Sequence, residues 1–183
     1  MRPAVFLDRD GVLNRPFIRE GKPYPPPSLS DFRLLPGVRE ACRKLREAGF
    51  ALILITNQPD IARGQASVTE IGEMHARLRR FLQLDDVRVC PHDDDARCGC
   101  RKPQPGLLIE AASACNIDLK SSFMVGDRWR DIEAGQRAGC KSIFVDRGYR
   151  ERQPDGPYQR VHSLVEAANW IVRTVQMGAL QYG

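Results

Sequence analysis

Short apolar runs recur along the chain, and an amphipathic stretch separates most of them from the next. Val5-Phe6-Leu7, Ala51-Leu52-Ile53-Leu54-Ile55, Val87 to Val89, Phe123-Met124-Val125 and Ser142-Ile143-Phe144-Val145 read as strands. Val38, Ala41, Cys42, Leu45 and Ala48 form a helical stripe that Gly49 ends. Ile71, Met74, Leu78, Phe81 and Leu82 form another, opened by the capping-box spacing of Ser67 and Glu70. Leu107 to Cys115 and Asp131 to Ala138 supply two more helices, and a last one follows Ser163. This order predicts an α/β fold: a doubly wound, mainly parallel sheet with helices on both faces. Ligands of such sheets bind outside the carboxyl ends of the strands. The residues just after each apolar run are therefore the ones to read for chemistry.

At 183 residues the chain is expected to form a single domain, residues 1–183. Two stretches resist regular structure. Residues 15–31 hold Pro16, Pro23, Pro25, Pro26 and Pro27, which forbid a continuous helix and favour an extended loop. The second runs from Cys90 to Pro105. No run approaches the ~20 apolar residues of a membrane span. The N-terminus reaches Asp8 after a few apolar residues, too soon for a secretory signal, so a reducing cytoplasm is expected. The net charge of +5 suits an anionic substrate and is too small to argue for nucleic acid.

Four strand or loop ends carry polar groups. Asp8-Arg9-Asp10-Gly11-Val12 follows the first run, and two carboxylates before a turn-forming glycine favour a site over an ordinary acidic turn. Thr56-Asn57-Gln58 follows the second run and is equally compatible with a plain strand terminator. Gly126-Asp127 follows the Met124-Val125 run, with Asp131 placed either to face the same crevice or to cap the next helix. Arg101-Lys102-Pro103 sits in the second irregular stretch, where solvated charge is the plain alternative.

That same stretch contains Cys90-Pro91-His92 and, five residues on, Cys98-Gly99-Cys100. Three thiolates and one imidazole make a closed tetrahedral Zn2+ set with no position for a reacting water. The expected metal is structural, and it would rigidify residues 90–102 and so place Arg101 and Lys102. Asp93, Asp94 and Asp95 are expected to be solvated. Cys42, Cys115 and Cys140 are expected to be small core residues, and His75 and His162 fall outside every motif.

Taken in order, Asp8-x-Asp10-x-Val12, Thr56, Lys102 and Gly126-Asp127-x-x-x-Asp131 resemble the four motifs of the haloacid dehalogenase-like phosphohydrolases, over about residues 5–146. The resemblance implies a Mg2+-dependent phosphatase with an aspartyl-phosphate intermediate. Asp8 would be the nucleophile, Asp10 the general acid and base, and Thr56 and Lys102 the groups that bind phosphoryl oxygens. Mg2+ would be held by Asp8, the Asp10 backbone carbonyl and Asp127. No room remains for an inserted cap domain, so the proline-rich segment 15–31 is expected to act as a substrate loop.

The zinc loop followed by Arg101-Lys102-Pro103 is similar to two subgroups, the heptose 1,7-bisphosphate 7-phosphatases and the histidinol-phosphate phosphatases. Phe6 to Asn14 fits both. Thr56-Asn57-Gln58 with Ile61-Ala62-Arg63-Gly64 looks more like the heptose subgroup. Pro59-Asp60 departs from the small pair usual there, and the five-residue zinc spacer, short for some heptose enzymes and compatible with the histidinol group, does not decide between the two. Asn57, Gln58, Arg101 and Arg128 match positions that bind substrate, with Arg128 in place of a more usual Lys. The expected partner is a small phosphorylated sugar, without nucleic acid or membrane, and the chain is expected to be monomeric. Two other readings compete: a non-catalytic zinc-dependent binding module, and a polynucleotide end phosphatase. An aromatic content of 7% argues against the latter, because it leaves little for base stacking.

Overall fold

In the computed structural model, which describes residues 1–180, six strands form one parallel sheet in the order β5-β4-β1-β6-β7-β8. The strands are β1 (Ala4–Leu7), β4 (Ala51–Asn57), β5 (Asp86–Cys90), β6 (Phe123–Gly126), β7 (Lys141–Val145) and β8 (Gln159–Val161). Every pairing within this sheet is parallel. The chain builds outward from β1 through β4 to β5, then returns to the other side of β1 with β6. That reversal makes the carboxyl ends of β4, β1 and β6 the topological switch point. A separate antiparallel hairpin, β2 (Phe17–Arg19) and β3 (Lys22–Tyr24), rises from the proline-rich segment.

Alternation along the strands divides the core. Val5, Leu7, Leu52, Leu54 and Val125 face α1 (Val38–Glu47), α2 (Val68–Leu82) and α5 (Leu164–Leu180). Phe6, Ile53, Ile55 and Met124 face α3 (Gly106–Cys115) and α4 (Trp129–Ala138). β1 lies in the middle, and all four of its residues are 0% exposed. A strand buried on both faces needs the unbroken apolar run that marks it in the sequence.

Three expectations change. The segment 15–31 is not wholly irregular, because Glu20-Gly21, both at positive φ, turn it into the hairpin. The Ser67 cap forms by half: its hydroxyl accepts from Glu70 N at 3.4 Å, but the Glu70 carboxylate reaches Leu29 N at 3.0 Å instead of Ser67. Phe81 leaves the core and is half exposed, with the Arg39 guanidinium stacked over its ring. Among the described residues, no helix is long and apolar enough to cross a membrane.

Candidate active site

Asp8 leaves the end of β1 with its N–H bonded to Val125 O at 3.0 Å, which fixes its direction between β4 and β6. Gly11 then turns the chain sharply, and nothing larger fits. A Cβ there would fall 1.7 Å from Asp127 Oδ2, and the φ of +87° is one that L side chains rarely adopt. Gly126 has a like purpose at the end of β6. A Cβ on it would meet Asp131 Cβ at 2.0 Å, so its absence admits Asp131 to the crevice.

Asp8, Asp127 and Asp131 are all buried, and one carboxylate oxygen from each lies within 4.8 Å of the others. Lys102 is 2% exposed and inserts its ammonium among them, 2.5 Å from Asp8 Oδ1, 2.6 Å from Asp131 Oδ1 and 2.9 Å from Ile55 O. Burial alone would lower the Lys102 pKa, but the Asp131 and Asp8 carboxylates hold it above its ordinary value. Three buried carboxylates against one ammonium leave excess negative charge. Burial, opposed by Lys102 and reinforced by Asp131 and Asp10, pushes the Asp8 carboxyl up to about 7. Asp127 is raised well above its ordinary value by burial first, then by Asp8 and Asp131. Its Oδ2 accepts from Tyr149 OH at 2.8 Å, while Oδ1 is buried without a hydrogen-bond partner. An orphaned oxygen in an electron-rich pocket of hard donors fits a divalent cation such as Mg2+.

Asp131 takes both of the roles open to it. Its Oδ1 pairs with Lys102, and its Oδ2 accepts from Arg128 N at 3.0 Å, capping α4. Asp10 accepts from Arg9 Nη2 at 2.8 Å, Asn14 Nδ2 at 2.8 Å and Gln58 Nε2 at 3.2 Å. Thr56 Oγ1 accepts from Gln58 Nε2 at 3.0 Å, which leaves its own proton free to donate.

Cys90, His92, Cys98 and Cys100 also converge. Cys90 Sγ lies 3.6 Å from Cys98 Sγ and 3.1 Å from Cys100 Sγ, and His92 Nδ1 is 3.2 Å from Cys100 Sγ. These separations exceed a disulfide bond and suit four donors around one ion. The loop's end is tied to β4 by a reciprocal pair. Asn57 Nδ2 donates to Lys102 O and Lys102 N donates to Asn57 Oδ1, both at 3.1 Å.

An open cleft of about 250 Å³ lies over these groups. Asp8, Asp10, Thr56, Asn57, Lys102 and Asp131 line its floor, and Lys22 to Pro25 of the hairpin arm form one wall. Pro59, Asp60, Arg63, Arg101, Arg128 and Arg130 surround the mouth. Gln58, expected at the substrate, is turned away. It is 1% exposed, and its amide is spent on Asp10, Thr56 and Arg9. Asp93 and Asp94 are not merely solvated. Arg63 grips Asp93 with two donors at 2.6 Å, while Arg101 and Arg130 share Asp94 Oδ1 at 2.9 and 3.1 Å. Arg128 donates to Glu151 through Nε at 2.9 Å. Trp129 packs between Arg130 and Arg152 rather than lining the cleft.

Sequence reasoning missed Arg9, His75, Tyr149 and Glu151. Position 75 adjoins Met74 and lies four residues from Ile71, on the buried stripe of α2, and that spacing was a usable signal. The other three betray nothing locally.

The HAD-hydrolase-like family model matches residues 99–168. The D-glycero-beta-D-manno-heptose-1,7-bisphosphate 7-phosphatase of Yersinia pestis is 35% identical over 94% of this chain and 91% of its own. The D-glycero-D-manno-heptose-1,7-bisphosphate 7-phosphatase of Thermosynechococcus vestitus is 36% identical over 93% and 95%. The structure of the D,D-heptose 1,7-bisphosphate phosphatase from B. bronchiseptica, complexed with magnesium and phosphate, superposes with a TM-score of 0.81 at 28% identity, covering 94% of this chain and 99% of that one. On identities of 35% and 36% over more than nine-tenths of its length, the chain belongs to the haloacid dehalogenase-like hydrolases and, within them, to the family of these 7-phosphatases.

Proposed function

We propose that the chain removes the 7-phosphate of D-glycero-D-manno-heptose 1,7-bisphosphate in a Mg2+-dependent reaction through an aspartyl phosphate. The observation that carries this reading is the buried convergence of Asp8, Asp127, Asp131 and Lys102 under one open cleft. Asp8 attacks phosphorus, and Asp10 protonates the departing oxygen and then takes a proton from water. Lys102 and the Thr56 hydroxyl bind the phosphoryl oxygens where transition-state charge gathers. Asp8, Asp127 and the Asp10 carbonyl would hold Mg2+, which when bound neutralises phosphate charge among the carboxylates.

Cys90, His92, Cys98 and Cys100 would hold a structural Zn2+ that keeps Lys102 and Arg101 in place. Asn57 supports the same end by bonding the Lys102 backbone. The 1–183 chain acts as one capless phosphatase domain and a monomer in the cytoplasm, with the hairpin of segment 15–31 as its substrate loop.

A bisphosphate needs cations away from the metal. Arg101 and Arg128 line the cleft and would exchange Asp94 and Glu151 for the second phosphate. The test compares kcat/KM for the heptose bisphosphate, histidinol phosphate and p-nitrophenyl phosphate. The heptose bisphosphate should rank first. Arg101→Ala and Arg128→Ala should each lower its value ~10- to 100-fold while sparing p-nitrophenyl phosphate. Preference for histidinol phosphate, or no effect of either variant, overturns the substrate assignment.

A further inference from the structure

Arg9 stands between two acidic residues in sequence yet is 0% exposed. A buried guanidinium is tolerated only where its charge and its donors are matched. Here Nε and Nη2 donate to Asp10 Oδ2 at 3.0 and 2.8 Å, and Nη2 also donates to Gln58 Oε1 at 3.0 Å. The remaining nitrogen, Nη1, lies 3.2 Å from His75 Nε2 on α2. Guanidinium carries only donors, so this imidazole nitrogen is the acceptor. Burial, and then the Arg9 cation, push His75 down to about 4 against the pull of Asp10, so its ring is neutral at pH 7.

The two oxygens of Asp10 differ in consequence. Oδ2 accepts from Arg9 twice and from Gln58 once. Oδ1 accepts, among the described residues, from Asn14 Nδ2 alone. We infer that Arg9, anchored by His75, is a positioning residue that fixes which oxygen of Asp10 exchanges protons: Oδ2 remains an acceptor, and Oδ1 carries the proton. This rests on Asp10 being the acid and base proposed above.

In the first step an Asp8 oxygen bonds to phosphorus, the bond from phosphorus to the sugar oxygen breaks, and the Oδ1 proton passes to that oxygen. In the second a water oxygen bonds to phosphorus, one water proton returns to Oδ1, and the bond to Asp8 breaks, releasing inorganic phosphate. Oδ2 keeps the same three N–H partners through both transfers, so no donor has to reorganise. Helix α2 thereby reaches the reacting atoms through two side chains and never touches the substrate.

The experiment uses leaving groups. For p-nitrophenyl phosphate, kcat/KM reports only the steps up to release of a phenolate that departs without protonation. For a sugar phosphate the same constant needs the acid. Arg9→Gln should lower kcat/KM for the heptose bisphosphate ~10- to 100-fold, and less than ~3-fold for p-nitrophenyl phosphate. Arg9→Lys, which keeps the charge and loses the fork, should show the same selectivity more weakly. His75→Gln leaves every cleft residue in place and should show it at ~3- to 10-fold, so it decides the matter if the Arg9 variants fail to fold. Equal losses on the two esters, or no loss in both His75→Gln and Arg9→Lys, overturn the inference. Asp10→Asn serves as the reference. If its loss is not selective, the assignment of Asp10 as acid fails; if it is selective and the other variants are not, only the positioning role fails.

Discussion

Two clusters of metal-capable side chains lie at the same end of the sheet, and they are built in opposite ways. The thiol cluster gathers Cys90, His92, Cys98 and Cys100 from eleven consecutive residues at the edge of the sheet, where only Cys90 is buried. The carboxylate cluster gathers Asp8 and Asp127 from the ends of two central strands and Asp131 from the first turn of α4, and all three are buried. Soft donors on an irregular loop gain a fixed shape when an ion binds. Hard donors held by a finished sheet are already fixed, and their mutual repulsion is a strain that folding must tolerate. The first cluster should therefore contribute stability and the second should draw on it.

The largest effect tests the second half of that contrast. Asp8→Asn removes the proposed nucleophile, and phosphate release should fall at least ~1000-fold. It also removes a carboxylate that burial and its neighbours hold near 7, so the thermal midpoint of the metal-free protein should stay the same or rise. A marked fall in the midpoint would mean that the Lys102 pair outweighs the repulsion, and the comparison would break there.

Cys98→Ser tests the first half. Losing one of the four proposed ligands should lower the metal content, read as zinc per chain by elemental analysis. The thermal midpoint should fall by ~4–8 °C, equivalent to about 2 kcal/mol for a chain of this size. Turnover should fall less than in Asp8→Asn, because the reciprocal Asn57–Lys102 bonds still hold the lysine's backbone. Added Mg2+ should not restore it. Purified protein that holds no zinc would remove the contrast altogether.

How much of each cluster was legible follows from the same difference. The members of the thiol cluster are near neighbours in sequence, so residue type and spacing suffice to group them. The carboxylates are 119 residues apart between Asp8 and Asp127, and they became readable only because buried parallel strands advertise themselves as apolar runs and ligands collect at their ends. The strand β8 carried no such run, and the β2–β3 hairpin was hidden by its prolines. The supporting shell was not legible. Nothing local in the sequence marks Arg9 as buried, and Tyr149 lies 22 residues beyond the carboxylate it binds. Gln58 matches a substrate-binding position in the sequence yet turns into the interior, because sequence gives no direction to the residue after a strand. Asp93 and Asp94 read as solvated for the same reason, since their partners Arg63 and Arg130 come from other elements. Chain order locates the acids; only packing reveals what aims them.

The smallest effect sharpens the comparison by acting on one cluster alone. Tyr149 OH donates to Asp127 Oδ2 across the space that Gly11 leaves by lacking a side chain. That bond pins one oxygen and keeps the unpartnered Oδ1 aimed inward. Tyr149→Phe keeps the ring and removes the pin, so Asp127 gains a rotation that metal binding must freeze. Outer partners of this kind are worth ~10-fold or more in metal affinity. Mg2+ affinity by calorimetry should fall ~10-fold, about 1.4 kcal/mol, with zinc content unchanged. If Mg2+ affinity holds while the thermal midpoint drops, Tyr149 is a packing residue. The carboxylate cluster would then be aimed by its strands alone, with no help from the loop after β7.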